Sequence, residues 1–387
     1  MKAALFSATI LEYGGGLEKY LVETAANLSK NSEINVDVVT MDEAFMEKLV
    51  SALSIFYLKK INKSLSFKEN TKDIQRRLGT ANYYKENSIR NLRKRLNNYD
   101  VIYSKNELLE SFLFKLLIRY GTVPPIVFGG HTALYYPNPA SFHAKLHNYL
   151  YTGPVYKILA SGVRKFHALN SEEEKLYKKL FPKREIRKIY NPFDMQAFAS
   201  QAKENQYRLK LNQDAIKILW LGRLTEQKGI RSLATTIEQV NNELPNAKKE
   251  VSWSIAGDGE ERVLVEGLAN KFPNVHYLKH VEQKYTASVY SQHQIFLSTS
   301  RWEGYPYTLL EAMSLGLQII AYDIPGPADI LKSYQNGHLA KNQEEMVKLI
   351  IKALKNTRRA TPKKEAQLSD VFKPTEIYNQ LADLLHV

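Results

Sequence analysis

Apolar residues in this chain come in short unbroken runs rather than in alternation. "KAALFSAT", "INVDVVT", "DVIYS", "PPIVFGG", "KFHALN" and "IRKIYN" fall in the first half, and "IKILWLG", "VSWSIAG", "VHYLK", "QIFLSTS" and "LQIIAYD" in the second. Such runs, closed by Gly, Asn, Asp or Ser, mark strands buried on both faces, as in a parallel sheet. Between them lie segments such as "LEKYLVETAANLSK", "IRSLATTIEQVNNEL" and "EEMVKLIIKALKN", whose apolar positions recur three and four residues apart and predict helices. Strand and helix alternate, which predicts open, doubly wound α/β sheets. Two such sets occur, on either side of the polar stretch "AFASQAKENQYRLKLNQDA". The expected organisation is a Rossmann-like domain over 1–196, a linker over 197–215, a second Rossmann-like domain over 216–372 and a last helix over 373–387. Each sheet would place a ligand crevice at the carboxyl ends of its strands, and two facing domains would share one deep interdomain cleft.

Residues 43–99 break this rhythm. No strand is evident there, only a helical and basic pattern: "AFMEKLVSALSIFYLKKINK", then "IQRRLG" and "IRNLRKRL". Two readings stay open. The segment is an amphipathic helical hairpin packed on the first domain with a solvated basic face, or a surface helix that docks on anionic lipid headgroups.

Composition sharpens the picture in three ways. A length of 387 residues exceeds one ordinary core and agrees with two domains. The absence of cysteine excludes disulfides, thiolate metal sites and a thiol nucleophile. The opening "MKAALFSATILEYGGG" reads as a first buried strand rather than a leader, and no run of about 18 apolar residues predicts a bilayer span. The expectation is a cytoplasmic protein, or one peripheral to the inner membrane face. Charge then points to a partner. Of the net +14, most sits in residues 1–200, with 30 Lys and Arg against 19 Asp and Glu; residues 51–100 alone hold 12 against 4. A basic first half suits an anionic partner. No recognised nucleic-acid motif accompanies the charge, so nucleic acid is not expected.

Candidate chemistry concentrates in the strand-to-helix turns. In "LWLGRLTEQKGIRSL", Arg223 and Lys228 precede a helix N-terminus. That end already carries partial positive charge, so cations there call for an anion. In "YGGGLEKYL" a glycine-rich turn opens a helix, where a phosphate or sugar can approach the backbone, but the dinucleotide fingerprint G-x-G-x-x-G is not met. In "RWEGYPYTLLEAMSLGL", Glu303 and Glu311 stand eight positions apart with Gly304 and Pro306 between them. The two acids therefore belong to different elements, Glu303 to a loop and Glu311 to the first turn of a helix. Thr308 and Glu311 also fit a T-x-x-E capping box. Two carboxylates flanking free helix N–H groups suit a ligand bearing both hydroxyls and phosphates. His131 follows an apolar run and two glycines in "VFGGHTALYYPNP", as a polar group in a cleft or a satisfied turn residue. The other histidines are scattered without metal-ligand spacing. No D-x-D pair, G-x-S-x-G elbow or P-loop occurs.

Taken in order, these segments resemble a known family. "EGYPYTLLEAMSLGL" resembles the E-x7-E motif of retaining glycosyltransferases of family 4, which have the GT-B fold. "LGRLTEQKG" resembles their phosphate site, "GGGLEKYLVETAANL" their N-terminal Gly-rich loop and helix, "IYNPFDMQAF" the approach to the interdomain linker, and "IAGDGEE" a C-domain turn. The resemblance implies that Arg223 and Lys228 neutralise a donor diphosphate, Glu311 hydrogen-bonds the ribose and Glu303 contacts hydroxyls of the transferred sugar. It implies that Gly304, Tyr305, Pro306, Tyr307 and Thr308 line the phosphate and sugar pocket, that Gly15 and Gly16 close on the diphosphate, and that His131 sits near the donor sugar. The family often has an acid after this histidine, where this chain has Thr132. The activity implied is metal-independent, retaining transfer of a hexose or N-acetylhexosamine from a UDP- or GDP-sugar to a glycan or lipid-linked acceptor, with no cofactor. The alternatives are a sugar-nucleotide epimerase of the same fold and a non-catalytic partner subunit of a transferase.

Overall fold

A computed structural model describes residues 1–11, 16–30, 33–46, 70–105, 108–131, 133–137, 139, 142–244, 251–357 and 372–386. The chain divides into two units. Met1–Tyr135, Pro139–Tyr190 and Thr375–Val387 form the first, and Tyr136–Asn138 with Asn191–Pro374 the second.

The first unit is built on a seven-stranded sheet: β1 (Lys2–Ser7), β2 (Asn35–Met41), β3 (Tyr83–Glu86), β4 (Val101–Ser104), β5 (Ile126–Gly129), β6 (Lys165–Ala168) and β7 (Glu185–Lys188). The order is β3-β2-β1-β4-β5-β6-β7, and every pairing is parallel. Strands β4, β5 and β6 are buried at every position, which is why they read as unbroken apolar runs. Alternate side chains feed two cores, one on each face. Ala4, Phe6, Ile102, Phe128 and Phe166 belong to one, Ala3, Leu5, Tyr103 and Val127 to the other. Burying a large apolar side chain contributes about 1.5–3 kcal/mol. The helix Pro374–Leu385 packs in this unit, with Ile377, Leu381, Leu384 and Leu385 in the second of these cores. Lys165 of β6 caps its end, donating to the carbonyl oxygens of Leu384 (3.2 Å) and His386 (2.7 Å) while pairing with Glu185 at 3.2 Å.

The basic segment 43–99 contains a strand after all. Tyr83–Glu86 pairs with β2 as the edge of the sheet. Its four residues, YYKE, are mostly half-exposed, so an edge position needed no apolar run to announce it. The flanking helices Thr71–Leu78 and Ile89–Leu96 pack through Ile74, Leu78, Leu92 and Leu96. Residues 47–69, which carry most of the predicted amphipathic helix, lie outside the described residues.

The second unit holds β8 (Ile216–Leu221), β9 (Val251–Ala256), β10 (Val275–Lys279), β11 (Ile295–Ser298), β12 (Gln318–Tyr322) and β13 (Gly337–Ala340). The order is β10-β9-β8-β11-β12-β13, again all parallel. β13 was not expected: GHLA is another short, half-buried edge strand. Residues 197–215, read as a linker, begin inside the helix Met195–Glu204 and continue to β8 within this unit. Chain direction around the sheet reverses between β8 and β11, and the segments leaving these two strands carry the candidate site.

Candidate functional site

After β8 the chain runs through Gly222, Arg223 and Leu224 into a short 3-10 turn, Glu226–Lys228, then into the helix Ile230–Glu243. Gly229 joins turn to helix in the left-handed region, φ 70°. Any side chain there would be strained, and a Cβ would lie 2.0 Å from the carbonyl oxygen of Thr299. That close approach couples the turn to the segment leaving β11. The Thr299 hydroxyl donates to the Lys228 carbonyl at 2.9 Å and accepts from the Trp220 indole N–H at 3.0 Å. The Arg301 amide donates to the Gln227 carbonyl at 2.8 Å, and the Gln227 side-chain amide donates to the Trp302 carbonyl at 3.2 Å.

This stapling brings Lys228 to Glu303. Their ammonium and carboxylate are in direct contact, with side-chain exposures of 17% and 8%. Arg223 is on the same turn but exposed, its guanidinium 3.4 Å from the Gln227 side-chain oxygen. Two of the predicted residues thus meet as a largely buried ion pair at the point where the strand order reverses, the usual ligand position in such sheets.

Past Glu303 come half-buried Gly304, buried Tyr305 and Pro306, and the helix Tyr307–Ser314. Pro306 is the N-cap, and no side chain caps this end. The predicted capping box is therefore not formed. The helix begins at Tyr307, which puts Thr308 second, too far inside to act as cap. Glu311 is the fifth helical residue, in the second turn and not the first. Its carboxylate lies beside the Tyr290 hydroxyl, which also reaches the Thr308 carbonyl at 3.2 Å; burial first and then Glu311 push that phenol well above its usual range. Helix starts of this kind, where no side chain acts as cap, are places where anions bind in proteins.

A hollow of about 450 Å³ borders the turn, with Gly229, Ile230, Arg301, Asp323 and Gln343 among its walls; Lys228 and Glu303 are not. Among the described residues no three His, Asp or Glu converge as a metal site.

In the first unit, Gly16 is the first residue of the helix Gly16–Leu28; Gly15 and Thr132 lie outside the described residues. One turn along that helix, Tyr20 brings its ring to 4.1 Å from His131, centroid to centroid. His131 follows β5, and its Nε2 is 2.7 Å from the Tyr103 hydroxyl. Burial, His167 and Lys105 hold its pKa well below the usual imidazole value. Tyr20, Tyr103 and His167 were not singled out from the sequence. The one available signal was polar atoms inside the runs "DVIYS" and "KFHALN".

Comparison with known proteins now adds to this geometry. Residues 201–369 match the family model for glycosyl transferases group 1. An uncharacterized glycosyltransferase of Methanocaldococcus jannaschii is 35% identical over 147 residues, covering 37% of this chain and 34% of that protein. The GtfA subunit of the UDP-N-acetylglucosamine–peptide N-acetylglucosaminyltransferase of Streptococcus agalactiae is 32% identical over 126 residues, 32% of this chain and 24% of that protein. The matches thus span about a third of one of these relatives and about a quarter of the other. Along the whole chain, the crystal structure of Anabaena HepE in complex with UDP superposes with a TM-score of 0.70 at 16% identity, covering 100% of this chain and 99% of the other. The fold is GT-B. The likeness to this family in sequence is thus confined to part of the chain, and along its whole length the likeness is one of fold.

Proposed function

We propose that this protein is a retaining, metal-independent transferase that moves a hexose or N-acetylhexosamine from a UDP- or GDP-linked donor to a glycan or lipid-linked acceptor. The observation that carries the proposal is the Lys228–Glu303 contact beside the start of the helix Tyr307–Ser314, which has no side-chain cap. An ammonium has three donors. One meets Glu303, and the others are available to a diphosphate. Arg223 adds a guanidinium whose fork matches phosphate oxygens.

Breaking a glycosidic bond to a nucleoside diphosphate builds negative charge on the leaving phosphate and an oxocarbenium-like anomeric carbon. In this reading Arg223, Lys228 and the N–H groups at the start of the helix Tyr307–Ser314 stabilise the developing charge. Removing one such contact costs roughly 3–4 kcal/mol, a hundred- to thousand-fold in rate. Glu303 accepts hydrogen bonds from sugar hydroxyls and holds the ring rather than attacking it. Glu311 does the same for the ribose. Retention follows from attack on the face the phosphate leaves, with the donor phosphate taking the acceptor's proton. The E-x7-E resemblance, the family match and the UDP complex of the HepE neighbour support this assignment.

The acceptor belongs to the first unit in this proposal, where the basic residues concentrate. Among the described residues no helix is long and apolar enough to cross a membrane; peripheral contact with anionic lipid is the proposed mode, through the basic segment 43–99. Flotation with anionic and neutral vesicles tests it, and equal recovery on both, or none on either, refutes it. The reaction itself is tested by incubating the protein with each nucleotide sugar and a panel of acceptors in the presence of EDTA. Transfer at an undiminished rate supports the proposal. An isomeric sugar nucleotide formed without acceptor identifies an epimerase instead.

A further inference from the structure

Between Glu110 and Glu172 the chain carries no acidic residue, although Asp and Glu make up 40 of its 387 residues. The same stretch carries Lys115, Arg119, Lys145, Lys157, Arg164 and Lys165. It also supplies four of the six large apolar side chains that are exposed among the described residues: Tyr120, Phe142, Tyr149 and Ile158. Single exposed apolar groups are ordinary. Their gathering in a stretch with cations and no carboxylate is not.

Two consecutive helices of the first unit, Phe142–Thr152 and Pro154–Leu159, present three of these four side chains. The first helix buries Ala144, His147 and Tyr151, spaced three and four residues apart, with His147 Nε2 2.8 Å from the Ala133 carbonyl oxygen. Phe142, Lys145 and Tyr149 repeat that spacing on the other side, and all three are exposed. The second helix buries Tyr156 in the core and exposes Pro154, Lys157 and Ile158, which again share one side of a helix. Only Gly153 separates the two helices. A Cβ there would lie 2.4 Å from the Tyr149 carbonyl oxygen and 3.8 Å from Cδ2 of the Tyr149 ring. The ring therefore stands at the join, where the two exposed faces adjoin. Exposure is 75% for Phe142, 57% for Tyr149 and 63% for Ile158.

The chemistry of this face selects its partner. Phe and Ile gain by leaving water, Tyr suits the headgroup level with its ring in and its hydroxyl wet, and Lys reaches past them to phosphate. A second copy of the chain would set one cationic face against another with no carboxylate to pair. We propose that Phe142, Lys145, Tyr149, Pro154, Lys157 and Ile158 form a face that seats in the headgroup layer of an anionic bilayer, with the aromatic and aliphatic side chains inserted and the two lysines on lipid phosphates. The inference rests on the reading that the protein meets anionic lipid, and it assigns the inserting surface to a part of the chain outside the basic segment 43–99. In that segment Lys72, Arg76, Arg77, Arg90 and Lys94 are exposed, but no exposed large apolar side chain accompanies them among the described residues. Its described helices can attract a negative surface, and they offer nothing large to insert.

The chain has no cysteine, so one Cys introduced at a chosen position can carry an environment-sensitive fluorophore. The full chain is mixed with vesicles of phosphatidylcholine alone and of equal parts phosphatidylcholine and phosphatidylglycerol. On the anionic vesicles, probes in Tyr149→Cys and Ile158→Cys should shift to the blue and be quenched by spin-labelled lipid. A probe in Val263→Cys, a position 73% exposed in the second unit, should stay in water. No shift at Tyr149 or Ile158 on vesicles that bind the protein, or an equal shift at Val263, overturns the inference.

Cosedimentation with the same vesicles supplies the second arm. Affinity for the anionic vesicles should fall about tenfold or more in the triple variant Phe142→Ser, Tyr149→Ser, Ile158→Ser, and about fivefold or more in the double variant Lys145→Gln, Lys157→Gln. Circular dichroism should be unchanged in both, since all five side chains are exposed; if the triple variant does not fold, the single-Cys probes decide. A folded triple variant that binds as the unaltered protein does, while Lys72→Gln with Arg76→Gln and Arg77→Gln abolishes binding, would overturn this surface and leave the reading of lipid contact standing. An unaltered protein that binds neither vesicle would remove both. An oligomer of the unaltered protein that the triple variant dissociates would make the face a contact between copies and overturn the inference.

Discussion

The ammonium of Lys228 rests on the carboxylate of Glu303, 75 residues further along the chain. Each group is held there by the segment that carries it. Lys228 is fixed by a 3-10 turn that Gly229 closes, and Glu303 by a segment stapled to that turn through Thr299, Arg301 and Trp302. Because both side chains are largely buried, removing one partner strands the other's charge. Breaking such a pair typically costs about 3–5 kcal/mol. Lys228→Met should lower the urea-unfolding free energy by about 3 kcal/mol, and adding Glu303→Gln should recover most of it. Additive losses in the double variant would show that the pair is not coupled.

Gly229→Ala places a methyl group 2.0 Å from the Thr299 carbonyl oxygen in a left-handed backbone. The backbone term alone is roughly 1–2 kcal/mol, and relieving the clash must part the turn from the β11 segment. A destabilisation of about 2 kcal/mol or more is expected, together with loss of nucleotide binding. Thermal unfolding and calorimetry check both; a fully stable variant that still binds would contradict the stapled geometry.

Lys165 offers a test outside the site. Its two charge-assisted hydrogen bonds satisfy carbonyls at the end of the helix Pro374–Leu385, where the helix dipole also favours a cation. Lys165→Met should cost about 2 kcal/mol and speed amide exchange in that helix before the rest of the first unit. Unchanged exchange there would show the cap to be dispensable.

Buried histidines set an acid limit on stability. Burial depresses His147, His167 and His293 to about 4. Their folded pKa values lie below the unfolded value near 6.5, so the unfolded chain binds protons that the folded one refuses. The stabilisation is complete above pH 6.5 and is lost as pH falls from there toward 4, at up to about 1.4 kcal/mol per unit for each group. The urea midpoint should therefore drop between pH 7 and pH 5, and less steeply in His293→Gln. A flat profile over that window would contradict the neutral buried rings.

Much of this was legible in the sequence because burial on both faces writes itself as unbroken apolar runs. Every strand read from "KAALFSAT" to "LQIIAYD" is present in one of the two parallel sheets. Tyr83–Glu86 and Gly337–Ala340 were missed for the complementary reason: edge strands half-exposed to solvent need no such run. That Lys228 and Glu303 stand in the segments leaving two buried strands was legible because turn residues flanking apolar runs stand out. The capping box was misread because Thr308 and Glu311 have the right spacing, whereas the helix starts two residues too early for it, with Pro306 as its N-cap. The meeting of Tyr103, His131 and His167 was out of reach, since residues of β4 and β6 and one just beyond β5 come together only once the sheet order is known.

The most direct test is calorimetric titration of the unaltered protein, Lys228→Ala and Arg223→Ala with UDP and GDP in the presence of EDTA. One of the two nucleotides is predicted to bind the unaltered protein, and its affinity should fall at least tenfold in each variant shown to be folded. Binding of neither nucleotide, or equal affinity in all three proteins, would contradict a diphosphate seated on these two cations.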